Sequence, residues 1–143
     1  MGIMNVLEDS RIERKVKNKY PGIRSSFIRA YKELIDKDFF GTSGIDLNDL
    51  NFIDRVNLYT KGGAAQGIQF NEFEKSLVNK IETTETYDDV LRVSKEVMEY
   101  MKEEAETAQK LKNLCKKENA LFLQIEIIFY NEKVSFNIEN WEK

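Results

Sequence analysis

The sequence has no histidine, one cysteine and one proline among 143 residues. Without histidine, Ser-His and Cys-His nucleophile pairs, imidazole general bases and histidine metal sites are excluded together, and these are the commonest routes to proton chemistry near neutral pH. Catalysis would fall to carboxylates, lysine, tyrosine or Cys115. That lone thiol cannot close an internal disulfide, and no second thiol or imidazole stands near it to build a zinc site. The composition therefore predicts a chain in a reducing, cytoplasmic setting that is not an enzyme and uses neither metal nor cofactor. No run approaches 18 consecutive apolar residues, and the N-terminus lacks the basic, apolar and small-residue order of a secretory leader. Neither export nor a membrane span is expected. At this length one domain, residues 1–143, is the default, large enough to bury a core without staples.

Charge is nearly balanced overall, 22 Lys and Arg against 25 Asp and Glu, but unevenly placed. Residues 11–32 carry Arg11, Arg14, Lys15, Lys17, Lys19, Arg24, Arg29 and Lys32 against Glu13 alone. Such a basic stretch can track a phosphate backbone or meet an acidic partner. The competing reading is a solvated face that pairs with the acidic remainder of the chain, and the sequence pI near 5.2 argues against a dedicated nucleic-acid binder. Asn, Ile and Lys make up 41 of the 143 residues, a bias toward AT-rich codons that points to a low-GC bacterium or its phage.

Apolar spacing predicts four shorter helices. The first covers 5–19, with Asn5 as its cap, and ends at Tyr20, Pro21 and Gly22. The second covers 22–38, with Ile23, Phe27, Ile28, Tyr31, Leu34 and Ile35 on one face. The third runs to about Tyr59, capped by Asp46 or Asn48. The fourth is capped by Asn71, with Phe73, Leu77, Val78 and Ile81 inward. Threonines 83, 84 and 86 then open a long helix over about 86–118. Its residues recur by sevens: Tyr87, Ser94, Met101, Ala108 and Cys115 in one position, Val90, Val97, Glu104 and Leu111 in another. About 33 residues at 1.5 Å each exceed the diameter of a domain this size, so part of this helix is expected to lie outside the monomer's own core.

Beyond it the period changes from 3.6 to 2. Residues 121–129 alternate as a strand, Asn131 and Glu132 make a turn, and Val134, Phe136 and Ile138 form the return strand. The expected fold is α+β: four or five helices, one of them dominant, packed against a small antiparallel sheet that contains this C-terminal hairpin. A third strand would come from residues 68–70, from residues 3–7 or from another chain, because two strands alone are marginal.

Three further features are candidate sites. Lys61, Gly62, Gly63 and Gly67 form a glycine-rich loop that could cradle an anion such as phosphate or a nucleotide, although its spacing fits no phosphate-loop template. Phe39, Phe40 and Trp141 are candidate interface aromatics. Cys115 among lysines could be reactive, but a small apolar role suits it better. The sequence thus predicts a non-catalytic protein–protein interaction module, a small cytoplasmic bacterial or phage regulator, inhibitor or immunity-type protein. It is expected to form a homodimer or other homo-oligomer, to avoid membranes, and to bind another protein. Nucleic-acid binding through residues 11–32 is the alternative, and small-ligand binding at residues 61–67 comes third.

Overall fold

A computed structural model describes the backbone of residues 2–62 and 66–141, and the side chains of these residues as far as Leu121 together with Gln124. Its elements are α1 (Ile3–Lys19), a 3-10 turn (Pro21–Ile23), α2 (Arg24–Asp36), a second 3-10 turn (Leu47–Asp49), α3 (Phe52–Gly62), α4 (Glu72–Glu82) and α5 (Tyr87–Trp141).

Local chemistry accounts for most boundaries. Extended Gly2, not Asn5, precedes α1. Pro21 starts the first 3-10 turn, where its missing N–H costs no hydrogen bond. Past α2, Asp38 takes a left-handed φ of 53°. The Asp38 N–H donates to the Ile35 carbonyl and the Phe39 N–H to that of Leu34, both at 2.9 Å. This is a Schellman closure with aspartate in the usual glycine place. Asp46 caps the second 3-10 turn, and Asn51 accepts from the Asp54 N–H at 2.9 Å to open α3. Asn71 and Glu74 form a reciprocal capping box for α4. Thr86 accepts from the Asp89 N–H at 3.1 Å, while the Asp89 carboxylate accepts from the N–H groups of Glu85 and Thr86 at 3.0 Å each, opening α5. Those two backbone donors hold the Asp89 carboxyl below its ordinary pKa.

The described contacts divide the chain into two units, Met1–Met101 and Lys102–Lys143. In the first, one cluster joins Val6 and Leu7 of α1, Phe52, Ile53 and Val56 of α3, Leu77, Val78 and Ile81 of α4, and Val90, Val93 and Val97 of α5. The sets from α3, α4 and α5 repeat at three- and four-residue steps, the inward stripe of a helix. Phe52 packs edge-on to Phe70 and Tyr100, with ring centroids 6.0 and 5.4 Å apart. The apolar face of α2 stays peripheral: none of its residues is fully buried, and Ile28 is 67% exposed. In the second unit α5 continues without interruption, and every described side chain of residues 102–121 is exposed.

The expected α+β class is overturned. The structure is 81% helical, with no strand or sheet among the described residues. Residues 121–138, expected as a hairpin, are part of α5, which continues 23 residues past the expected end near 118. Residues 3–7 are the start of α1, and residues 68–70 form a connection rather than a third strand. The reason is cooperative. No glycine or proline follows Gly67, so each residue past 118 extends an existing helix by one hydrogen bond without a new nucleus. A two-stranded hairpin would stand nearly alone, and its turn would need Glu132 at a positive φ that suits glycine. Both faces of residues 121–129 carry apolar side chains, so period alone could not decide between strand and helix. The expected burial of Ile125, Ile127 and Phe136 concerns side chains outside the described residues.

Candidate interaction surfaces

Much of the basic stretch is tied into the first unit. Arg11 grips the Glu8 carboxylate with two hydrogen bonds of 2.8 and 2.6 Å and reaches the Glu85 carbonyl at 3.1 Å. That guanidinium holds the Glu8 carboxyl below its usual pKa. Arg14 donates to the carbonyls of Ile81, at 3.3 Å, and Thr84. It thereby bonds one carbonyl in the last turn of α4, where carbonyls lack a partner within the helix, and one just beyond the helix. Lys15 lies 3.6 Å from Glu85, and Lys17 lies 3.3 Å from Glu13 and over the Phe27 ring. Lys19 stacks on Tyr20, and Arg24 donates to Asn18 at 2.6 Å.

Arg14, Lys17 and Arg24 line one cleft of about 170 Å³, which they share with Glu13 and Glu82. Glu13 also accepts from the Tyr31 hydroxyl; burial first, and this carboxylate second, push the Tyr31 pKa upward. Arg29 and Lys32 are exposed on α2 and form no ion pair among the described residues. The structure therefore gathers three of the eight basic residues around a mixed-charge cleft, pairs others internally and leaves two open.

Sequence reasoning missed the polar cluster around Glu74. Arg55 of α3 forms a two-pronged pair with Glu74 of α4 at 2.5 and 2.9 Å, and also donates to the carbonyls of Leu50 and Gln69 at 3.0 and 2.9 Å. The Tyr100 hydroxyl of α5 donates to Glu74 at 3.0 Å, as does the Asn71 N–H. Burial by itself would raise the Glu74 pKa, but these donors, Arg55 foremost, hold the carboxyl below its ordinary value. Four donors saturate a carboxylate's acceptor sites. Glu74 thus serves as a tie between three helices, with no lone pair left for a general base. One signal was legible: Glu74 precedes Leu77, Val78 and Ile81 on the same inward stripe.

The remaining candidates are dispersed. Lys61 and Gly62 belong to the last turn of α3, Lys61 donates to Asn57, and Gly63 lies outside the described residues. Gly67, at a φ of 67°, accepts from the Asn48 side chain at 3.3 Å. A groove of about 630 Å³ nearby is lined by Tyr59, Ile68, Phe70, Lys75, Val78 and Glu82, among others. Phe39 is 70% exposed and stacks edge-on with Phe40, their centroids 5.4 Å apart. Trp141 ends α5, and its side chain is outside the described residues. No cluster of three or more His, Cys, Asp or Glu suited to a metal occurs among the described residues.

Apolar side chains are also uncovered along α5. Leu111, Leu114 and Leu121 are 57, 56 and 57% exposed, and Cys115 between them is exposed. In the same helix Val90, Val93 and Val97 are buried. No helix among the described residues is long and apolar enough to cross a membrane. Comparison with protein-family models, with curated proteins and with solved structures finds no match.

Proposed function

We propose that the protein is a non-catalytic protein–protein interaction module whose binding element is the part of α5 beyond Met101, as in a small cytoplasmic bacterial or phage regulator, inhibitor or immunity factor. One observation carries this reading: α5 displays Leu111, Leu114 and Leu121 to solvent along a segment in which every described side chain is exposed. A lone helix in water gains little beyond its own hydrogen bonds, and helices in proteins owe most of their stability to packing of an apolar face. The internal pairing of Arg11, Arg14, Lys15 and Lys17 leaves less basic surface for a nucleic acid than the sequence suggests.

Photo-crosslinkers placed at positions 111, 114 and 121 in the native host are expected to yield adducts with protein. The absence of any protein adduct, together with salt-sensitive retention on a nucleic-acid column, would overturn the reading.

A further inference from the structure

We propose that residues 108–139 of α5 pair antiparallel with the same residues of a second copy of the chain, centred on the apolar segment 120–130. The proposal rests on the reading of α5 as a protein-binding element and names its occupant. Nine of the eleven residues in 120–130 are apolar, Gln124 and Glu126 being the exceptions, and a helix this apolar around its circumference is one that is covered. The seven-residue recurrence also persists: Cys115, Phe122, Phe129 and Phe136 occupy one position, Leu111 and Ile125 another. Such a repeat along one helix is the pattern by which helices pack on one another. Phe122, Phe129 and Phe136 can each bury about 150–250 Å², and with Leu111 and Ile125 they approach the roughly 800 Å² per partner of a stable interface.

Charge sets the orientation. In a parallel, in-register pair every residue meets itself, so Glu118 and Glu132, which interrupt the Leu111 and Ile125 position, would meet their own copies. The antiparallel register that sets Phe122 level with Ile125 instead sets Glu132 level with Cys115, beside Lys112 and Lys116, and Glu118 level with Phe129. The pairing is then two-fold symmetric and closed. A lipid surface fits less well. Helices that lie on membranes carry Lys and Arg on the polar face along the inserted apolar stretch, whereas residues 118–141 around the apolar segment hold Glu118, Glu126, Glu132 and Glu139 against Lys133 alone, and Lys110, Lys112, Lys116 and Lys117 all precede it.

The single natural thiol gives a direct test on the full chain. Light scattering at micromolar concentration is expected to give about twice 16.8 kDa, and Phe122→Glu to raise the dissociation constant at least tenfold. On mild oxidation the wild-type chain should form no disulfide dimer, because the two Cys115 residues are offset by 17 positions, about 25 Å along the helix, well beyond bridging distance. Glu132→Cys should yield a dimer linked between the introduced thiol and Cys115 of the second copy. A wild-type dimer linked through Cys115 would overturn the orientation, and a dimer of Glu132→Cys that fails to link would overturn the register. An unchanged constant in Phe122→Glu, or a monomer mass up to 100 µM, would remove the second copy as occupant. In the monomer case, photo-adducts with a different protein would leave the interaction reading standing, and their absence would remove that as well.

Discussion

Two stretches of one helix behave differently. Over residues 87–101, α5 buries Val90, Val93, Ser94 and Val97 among side chains of α1, α3 and α4. Over residues 102–121 it buries none of its described side chains. The seven-residue apolar recurrence runs through both stretches, so the difference lies in what covers the helix and not in its backbone. Helical hydrogen bonding can continue where packing stops, because extension needs only one bond per residue. A stretch with that backbone and no cover is where a partner's contribution to stability should be greatest.

The contrast implies a steep gradient of mutational effect. Phe52→Ala, at the centre of the first unit, should cost about 3–5 kcal/mol through lost burial and the cavity left behind. That is a large share of the roughly 5–15 kcal/mol expected for a domain, and thermal melting should fall by at least about 12 °C. A drop of only a few degrees would mean that this cluster is not what holds the unit together.

Glu74→Ala should cost a comparable 3–5 kcal/mol, since it removes the carboxylate that neutralises the largely buried Arg55 guanidinium. Because the folded pKa of Glu74 is depressed, its contribution is complete above the ordinary carboxylate pKa and is lost as pH falls through the lower folded value. Acid titration should therefore show a loss of stability below about pH 4.5 that is smaller in Glu74→Ala than in wild type. Identical acid profiles for the two proteins would refute the assignment.

Smaller effects belong to the edges of the first unit and to the second. Thr86→Ala removes the cap that opens α5 and should cost about 0.5–2 kcal/mol by denaturant titration. Leu114→Ala, measured at concentrations where the chain is monomeric, should change stability by less than about 0.5 kcal/mol. A loss of 2 kcal/mol there would show that the monomer already covers this side chain.

The same contrast explains what was legible in the sequence. Leu77, Val78 and Ile81, the cap at Asn71, and the buried valines of α5 followed from spacing and short-range chemistry, which act within a few residues, whereas Phe73, expected on the same inward face, is 60% exposed. Partners distant in sequence did not: Arg14 reaches Ile81 and Thr84 across 67 and 70 positions, and Arg55 reaches Glu74 across 19. The sequence therefore left open whether the basic stretch pairs internally. Residues 121–138 read as a hairpin because apolar side chains on both faces suit a strand and an all-round apolar helix equally. Only continuity with the preceding helix decides between them, and periodicity does not encode it. For α2, the apolar spacing correctly marked a helix but could not show that its face would be only partly covered.

The central claim is that the first unit is held by its own core while α5 beyond Met101 is stabilised by association. Hydrogen exchange of the full chain, followed from nanomolar to 100 µM, tests it most directly. Amides of residues 52–60, 77–81 and 90–97 should be strongly protected throughout, whereas those of residues 108–139 should gain protection only as the mass doubles. Protection of residues 108–139 that is unchanged across the series, whether high or low, would contradict the account.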